Sequence, residues 1–299
     1  MLKKSTWLHL RIPFSFFLLP VFLFALAISP NINESRIIIV FVVLHIFLYP
    51  ASNGYNSYFD KDEKSIGGLK NPPKVSRGLY FTSLLFDMIA IALGAMINWQ
   101  FALMLFIYGI VSKAYSHPLV RLKKYPWGSW FIAGFFQGAF TFTMAYMGLN
   151  GYGFHVLQQS HVVMPALLTS LMLWGSYPMT QIYQHEEDHK RGDITLSYKL
   201  GIRGTFYFTA AVFTLATAAY VFYFMEFHKD KYALYFVLSM LPVVLFFAHW
   251  YLRVHKDEDK ANFGYTMWLN AISATCLNAF FIYFFLDSSQ ILQAIKAGY

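Results

Sequence analysis

The sequence predicts an all-α membrane protein, a polytopic helical bundle of about nine transmembrane helices with a cytoplasmic cap over a central cavity. Three observations support this fold class. Of 299 residues, 57% are apolar and 13% are charged, against about 45–50% and about 25% in soluble domains. Nine apolar stretches approach the roughly 20 residues that a helix needs to cross about 30 Å of hydrocarbon. Lysine and arginine are also distributed very unequally between the two sides of the resulting plan.

The nine predicted helices are assigned by apolar length, and helices slightly shorter than 20 residues are allowed because flanking side chains can snorkel. The fourth is the weakest, because Ser112 and Lys113 enter its last turn. The first predicted helix resembles a secretory signal peptide. Because Pro20 interrupts its apolar core, we expect that this segment is not cleaved from the protein. The predicted helices are Pro13–Ile28, Ile37–Ala51, Leu79–Ile97, Phe101–Tyr115, Trp127–Met147, Val162–Met179, Phe206–Met225, Ala233–Trp250 and Tyr265–Leu286.

Basic residues determine the predicted orientation. The side that carries the N-terminus holds 19 lysines and arginines, whereas the other side holds four: Arg36, Lys229, Lys231 and Lys296. By the positive-inside rule the first side is cytoplasmic. We therefore expect a multi-pass protein of a bacterial cytoplasmic membrane. Its cytoplasmic loops 52–78, 113–127 and 184–204 are predicted to form the active-site side.

Composition excludes several other classes. Cys276 is the single cysteine, whereas iron–sulfur scaffolds, structural zinc modules and disulfide frameworks need several thiols. The net charge of +8 does not indicate a nucleic-acid partner, because the basic residues are not gathered on one solvated face. The sequence has no low-complexity tract, linker or composition shift, so residues 1–299 are predicted to form a single domain. No obligatory protein partner is evident.

An acidic constellation follows the second predicted helix. Residues 53–64 read Asn-Gly-Tyr-Asn-Ser-Tyr-Phe-Asp-Lys-Asp-Glu-Lys. If the helix continues for about two turns, Asn56 and Asp60 share a face because they stand four residues apart, and Asp62 and Glu63 lie beside them. Charge runs at membrane exits are often only solvated helix ends.

A second acidic constellation follows the sixth predicted helix. Residues 184–195 read Gln-His-Glu-Glu-Asp-His-Lys-Arg-Gly-Asp-Ile-Thr, and Gln184 and Asp188 again stand four apart. Both constellations follow helices that run towards the cytoplasm, which argues against two unrelated helix ends. Oxygen ligands at this spacing, without cysteine and with basic neighbours, suit a hard cation such as Mg²⁺ that also binds phosphate oxygens.

Three stretches of the sequence resemble motifs of the UbiA prenyltransferase superfamily. Asn56–Asp60 is similar to the first aspartate-rich motif, and Gln184–Asp188 with the trailing Gly-Asp-Ile-Thr-Leu is similar to the second. Between predicted helices four and five, Tyr115–Arg121 resembles a Tyr-Ser-x-x-Leu-Lys-Arg stretch of that family. With nine helices, the resemblance covers essentially the whole chain.

The resemblance implies an intramembrane Mg²⁺-dependent prenyltransferase, a transferase of alkyl groups other than methyl. The expected partners are an isoprenyl diphosphate, a hydrophobic acceptor and the lipid bilayer. The implied catalytic residues are Asp60 and Asp188, and the implied metal ligands are Asn56, Asp60, Asp62, Glu187 and Asp188. The implied substrate-binding residues are Arg11, Asn53, Lys64, Tyr115, Arg121, Lys123, Gln184 and Lys190.

Two positions depart from the family pattern. Lys64 occupies the third acidic position of the first motif, and Gln184 occupies the first acidic position of the second. A charged lysine cannot ligate Mg²⁺, although it could meet a phosphate directly. The resemblance therefore implies a metal site whose ligand list is altered at these two positions.

Other functions stay open at this point. A UbiA-like terpene cyclase would ionise the same diphosphate and let the substrate's own double bond capture the cation. Asp87, inside the third predicted helix, is consistent with a proton-coupled transporter or with a hydrogen bond to Asn270 or Asn278 of the ninth. His185-Glu-Glu-Asp-His189 matches the HExxH pattern of zinc peptidases, but no third ligand is evident from the sequence.

Overall fold

The computed structural model describes residues 3–291 and confirms the all-α fold class. Within those residues nine helical segments are long enough to cross or nearly cross a bilayer, and a tenth is short. They are α1 (Lys4–Ala27), α2 (Glu34–Asp60), α3 (Arg77–Ala95), α4 (Trp99–Ser116), α5 (126–150), α6 (Ser160–Thr180), the short α7 (His185–Lys190), α8 (Leu196–Phe227), α9 (Asp230–Lys256) and α10 (Phe263–Ser288). An isolated bridge joins Ile66 to Leu69.

Seven of these helices are long and apolar enough to span a membrane. The two other long helices, α4 and α5, do not meet the same test of length and hydropathy. α4 has 18 residues, about 27 Å at 1.5 Å per residue, and Lys113 lies in its last turn. Seven clear spans and two weaker helices agree with the predicted bundle of about nine.

Two helices extend further into the polar segments than the apolar pattern predicts. α2 continues to Asp60, so Asn56 and Asp60 lie one helical turn apart on one face. α8 begins at Leu196, but Gly201 (φ 70°, ψ 174°) interrupts it, so residues 196–200 form a short helical segment before the long span. α7 occupies part of the preceding segment. The polar connections are therefore shorter than the predicted loops 52–78 and 184–204, because helix continues where the hydrophobic pattern has already ended.

The polar connections gather at the two ends of the bundle. At one end, Ser5 donates a hydrogen bond to the Lys74 carbonyl (2.6 Å). At the opposite end, Arg36 Nε donates to the Leu149 carbonyl (2.8 Å). Lys296, predicted on the same side as Arg36, lies outside the described residues. We call the first end the mouth; it is formed by residues 61–76, 117–125 and 184–195.

An aromatic core closes the bundle away from the mouth. Phe24 of α1 stacks on Phe281 of α10, with ring centroids 4.6 Å apart, and meets Phe142 of α5 edge-on at 5.3 Å. In a bilayer such contacts act through packing rather than through transfer from water. This core holds together the ends of the helices whose other ends form the mouth.

Residues 61–76 form a cap over the mouth. Arg11 of α1 donates Nη1 to the Gly67 carbonyl at 3.0 Å. The Gly68 backbone N–H donates to Sδ of Met267, in α10, at 3.4 Å. Gly68 has a φ of +83°, a left-handed conformation that glycine adopts without a Cβ clash. The cap therefore links α1 to α10.

α5 changes to a π-helix over Phe136–Phe140, which alters the backbone hydrogen bonding of the helix. Ser170 of α6 binds backbone groups there: its hydroxyl accepts from the Ala139 N–H (2.8 Å) and donates to the Gly134 carbonyl (3.0 Å). A Cβ on Gly138 would lie 2.5 Å from Ser170 Cα. Glycine therefore permits the close contact between α5 and α6.

We expect Gly138→Ala to destabilise the protein by about 1–3 kcal/mol, because the added methyl group forces α5 and α6 apart. Thermal unfolding in detergent measures the effect. Gly128→Ala is a matched control in the same helix, since the nearest atom to its new Cβ is 3.6 Å away. Equal unfolding temperatures for the two variants would contradict the close contact.

Candidate active site

Two neighbouring chambers that share lining residues lie beneath the cap. The polar chamber, of about 230 Å³, is bordered by cap residue Gly67 and by Arg11. The apolar chamber, of about 370 Å³, lies deeper and is lined by residues such as Phe213, Val243 and Phe281. We call the junction between the chambers the neck; the residues that line both include Ser52, Asn53, Tyr108, Gln137, Tyr177 and Asn270.

Asp60 is the last residue of α2, and its side chain is buried at the mouth. Lys123 Nζ contacts Asp60 Oδ1, and Arg121 Nη2 lies 3.7 Å from the same oxygen. Arg121 has a φ of 44°, a conformation that costs a residue with a side chain some strain. The segment between α4 and α5 thus places two predicted substrate-binding cations against a predicted catalytic carboxylate.

Asp193 is a central residue of the mouth that the sequence analysis did not assign to the site. Arg121 binds it in a bidentate pair, with Nε 2.7 Å from Oδ1 and Nη2 2.8 Å from Oδ2. Burial opposes ionisation of Asp193, but the bonds from Arg121 and the charge of Lys123 hold its pKa below the usual value. The position of Asp193 directly after Gly192, just beyond the second motif, is the sequence feature that could have indicated its role.

Arg191 joins the two acidic stretches and was also not predicted as a site residue. Its guanidinium binds Asp62, lies 2.9 Å from Asp188 Oδ1, and is 3.5 Å from Asp193 Oδ2. Burial opposes the charge of Arg191, yet the neighbouring Asp62 and Asp60 raise its pKa. Asp60 and Asp188 therefore belong to one connected network rather than to opposite sides of the bundle.

α7 contributes two carboxylates with different environments. Burial raises the pKa of Asp188 to about 6, although the charge of Arg191 acts against the increase. Glu187 Oε1 accepts from the backbone N–H groups of Glu63 (3.2 Å) and Lys64 (2.8 Å). Its Oε2 is buried without a partner among the described residues. Glu187 thus ties α7 to the beginning of the cap.

Predicted site residues also line the polar chamber. Arg11 Nη2 donates to the Asn53 carbonyl at 3.3 Å, and Arg11 has a φ of 49° at the end of the first helical segment of α1. The Tyr115 hydroxyl lies 2.6 Å from that of Tyr177. Gln184 Nε2 donates to a cap carbonyl at 3.3 Å. The members of this group are Arg11, Asn53, Asn56, Tyr115 and Gln184.

Lys64 and Lys190 lie on the outer surface of the mouth. Both bind Glu186, and all three side chains are more than half exposed. Hydrogen bonds from Lys190 and Lys64 lower the pKa of Glu186 to about 2. Neither lysine lines a chamber in this structure, so their role in substrate binding stays a prediction.

The five predicted metal ligands are near one another but are held by other partners. Within residues 3–291, no group of three or more His, Cys, Asp or Glu side chains is already arranged to hold a metal. Asp60 contacts Lys123, Asp62 and Asp188 contact Arg191, and Glu187 accepts backbone N–H groups. Asn56 Oδ1 accepts from the Ser116 hydroxyl. To bind these side chains, a metal ion would therefore have to replace the lysine, arginine and hydrogen-bond donors that now contact them.

The HExxH pattern does not form a zinc site in this structure. His185 Nε2 lies 2.7 Å from the Ser197 hydroxyl, whereas His189 Nδ1 lies 3.0 Å from the Tyr198 hydroxyl. The two imidazoles therefore contact different residues at the start of α8 and do not share a metal site. The zinc peptidase hypothesis has no structural support in the described residues.

Asp87 pairs with Lys113 of α4, so the alternative of a hydrogen bond to Asn270 or Asn278 is wrong. Asn270 instead lines the neck, and the Asn278 side chain is buried without a partner among the described residues. α3 and α4 are neighbouring helices, and an ion pair between them offsets the cost of two charges at membrane depth. Asp87 lies outside both chambers, which favours a structural role over proton transport.

Comparisons with known proteins agree with this architecture. A family profile described as the UbiA prenyltransferase family matches residues 17–272. A UbiA homologue from Archaeoglobus fulgidus bound to DMAPP and Mg²⁺ is 16% identical, with a TM-score of 0.67 over 95% of this chain and 99% of that chain. The same homologue bound to GPP and Mg²⁺ gives 17% identity and a TM-score of 0.65 over 94% and 99%.

A digeranylgeranylglyceryl phosphate synthase is 20% identical, with a TM-score of 0.59 over 94% of this chain and 98% of that chain. At such identities the solved structures show the fold alone. Comparison with curated protein sequences gives no match.

Proposed function

Because the chain belongs to the UbiA prenyltransferase family, we propose that it transfers an isoprenyl group from an isoprenyl diphosphate to a hydrophobic acceptor inside the membrane. It is a multi-pass membrane protein. We further propose that the mouth faces the cytoplasm of a bacterial cell, as the distribution of lysine and arginine predicts.

One observation carries this proposal: the two acidic motifs meet beside a cavity that is polar at the mouth and apolar within. Asn56 and Gln184 of the motifs line its polar chamber, whereas the aspartates lie next to the chamber without lining it. Asp60 and Asp188 are linked through Arg121, Asp193 and Arg191. A prenyl diphosphate has the same division into a charged head and an apolar tail. Its head fits the polar chamber and its tail the apolar chamber.

Basic residues would hold the diphosphate head. Arg11 lines the polar chamber, and Arg121 and Lys123 lie at the acidic motifs. Guanidinium groups bind phosphate oxygens through paired N–H donors, and lysine acts as a compact charge. We expect these side chains to stabilise the negative charge that develops on the leaving group.

The oxygen donors at the mouth suit Mg²⁺, which prefers carboxylate ligands together with phosphate oxygens and water. The residues that would hold it are Asn56, Asp60, Asp62, Glu187 and Asp188. The free Oε2 of Glu187 is a donor that already lacks a partner in the described chain. When bound, Mg²⁺ supplies further positive charge to the departing diphosphate. Lys123 and Arg191, released from their aspartates, would be free to contact the phosphates.

The proposed reaction balances without a further reagent. The allylic C–O bond of the donor breaks, and its electron pair leaves with the diphosphate. An electron pair of the acceptor forms the new bond to the prenyl carbon, and the proton that the acceptor loses passes to the diphosphate. The apolar chamber keeps water from the cation, which would otherwise be hydrolysed.

We expect the purified protein in lipid vesicles to release diphosphate from geranyl diphosphate when Mg²⁺ and an acceptor are present, and to stop when EDTA removes the metal. Release that depends on the acceptor supports transfer. Release with a cyclised hydrocarbon or alcohol, and no acceptor product, would instead assign the terpene cyclase alternative. A folded protein that releases no diphosphate with any acceptor would contradict both functions.

A further inference from the structure

The neck presents unpaired carboxamides within the membrane-embedded part of the bundle. Gln137 of α5 and Asn270 of α10 line both chambers, and neither side chain forms a hydrogen bond with another residue in the range 3–291. Asn53 accepts from Arg11 through its backbone carbonyl, not through its side chain. A carboxamide offers two donors and an acceptor. Both side chains are half-buried, so a ligand that displaces water from the neck binds well only if it hydrogen-bonds with them.

Buried hydroxyl groups on the same walls also lack partners among the described residues. One belongs to Ser52 of the neck, and another belongs to Thr209, which lines the apolar chamber. In contrast, the hydroxyl of Thr169, on another wall of the apolar chamber, donates to the Ala166 carbonyl at 2.6 Å. Buried polar atoms are nearly always hydrogen-bonded in folded proteins. A ligand that hydrogen-bonds in this cavity would satisfy the hydroxyl groups of Ser52 and Thr209.

The polar side chains that line the neck carry no charge. No Asp, Glu, Lys, Arg or His lines the apolar chamber in the part of the chain that the structure describes. Arg11 lines the polar chamber but not the apolar one, and the proposed function assigns its charge to the diphosphate. A carboxylate placed at the neck would be desolvated without a cation to pair with it, which is strongly unfavourable.

The backbone fixes the position of Gln137. It lies within the π-helical segment Phe136–Phe140 that Ser170 and Gly138 hold against α6. On the facing helix α2, a second π-helical segment, Val42–Leu48, precedes Asn53. π-Helical segments within α-helices frequently occur at functional sites.

We propose that the neck is the acceptor site, and that Gln137 and Asn270 select an uncharged acceptor bearing hydroxyl or carbonyl groups. The inference rests on the proposed prenyl transfer. With the diphosphate in the polar chamber and the tail in the apolar chamber, the reacting carbon of the donor lies at the neck. A hydrogen-bonded acceptor held there is within reach of that carbon.

Matched acceptors test the selection. The probes are 1,4-dihydroxynaphthalene against 1,4-dihydroxy-2-naphthoate, and methyl 4-hydroxybenzoate against 4-hydroxybenzoate, each with geranyl diphosphate and Mg²⁺. We expect kcat/KM to be at least about tenfold higher for the uncharged member of each pair. Equal or better use of the carboxylates overturns the inference, as does rejection of every uncharged probe by a protein that ionises the donor. Failure to ionise the donor at all would remove the proposed function itself.

Substitutions test the two residues. Gln137→Leu and Asn270→Leu should each raise the acceptor KM about tenfold or more, with the donor KM unchanged. Asn278→Leu is the matched control, since it removes a buried carboxamide from the same helix as Asn270 but outside both chambers. Gln137→Lys should shift the preference towards the carboxylate probes. An effect on thermal unfolding alone, or equal changes in donor and acceptor KM, would contradict acceptor selection.

Discussion

Asp60→Asn and Asp188→Asn are each expected to lower the rate of diphosphate release by about 100-fold or more. Each substitution keeps the side-chain shape but removes a negative charge that would hold Mg²⁺ against the diphosphate. Asparagine retains an oxygen ligand, so weaker metal binding rather than a changed fold is the cause. The rate is measured at several Mg²⁺ concentrations, and high concentrations should restore part of it.

An aspartate-to-asparagine substitution at the opposite end of the bundle is the control for these two variants. Asp230 is exposed in the first turn of α9, and Asp230→Asn should leave the rate unchanged. Asp60→Asn also leaves Lys123 short of a partner, so the thermal unfolding of every variant is recorded. Stable Asp60 and Asp188 variants with wild-type rates would remove both residues from the proposed mechanism.

The sequence predicts the spanning helices better than it predicts their polar ends. Apolar length identifies a helix only where lipid surrounds it, so the predicted second helix stops near Ala51 although α2 reaches Asp60. The four-residue spacing of Asn56 and Asp60 still indicates a helical extension beyond Ala51, because such an extension places both side chains on one face. At α8 no such pair was available, and the helical turns from Leu196 were missed.

The candidate site is less predictable than the fold, because its network depends on where turns direct the side chains. Arg191 and Asp193 face the first motif after the chain reverses at Gly192, which has a φ of +73°. Arg121 reaches Asp193 from its own left-handed position, with a φ of 44°. Sequence spacing does not specify such conformations for arginine, so motif resemblance identifies the stretches while the structure identifies the partners.

The basic side chains of the mouth pair with its aspartates, and this pairing affects how the site would bind a diphosphate. Four aspartates face three basic side chains there: Asp60, Asp62, Asp188 and Asp193 with Arg121, Lys123 and Arg191. A nearly balanced cluster stays folded without ligand, because each buried carboxylate has a partner. Because its carboxylates outnumber its cations by one, the cluster does not attract a diphosphate by itself, which explains why a divalent ion suits the site.

We expect Asp193→Ala to destabilise the protein by about 3–5 kcal/mol, because it removes one partner of a buried bidentate pair and leaves Arg121 with only the longer 3.7 Å contact to Asp60. The Asp193 side chain is fully buried and that of Arg121 is 18% exposed. Apparent unfolding temperature and denaturant unfolding in detergent measure the loss.

An exposed ion pair at the same end provides the comparison. Arg203 and Glu258 lie 3.1 Å apart with side chains about half exposed, so Glu258→Ala should cost less than about 1 kcal/mol. The double variant Arg121→Met with Asp193→Leu should recover much of the stability, since apolar side chains can replace a buried pair at little cost. It should not recover diphosphate release, because Arg121 is then missing from the mouth. If Asp193→Ala is as stable as Glu258→Ala, the pair does not hold the mouth together.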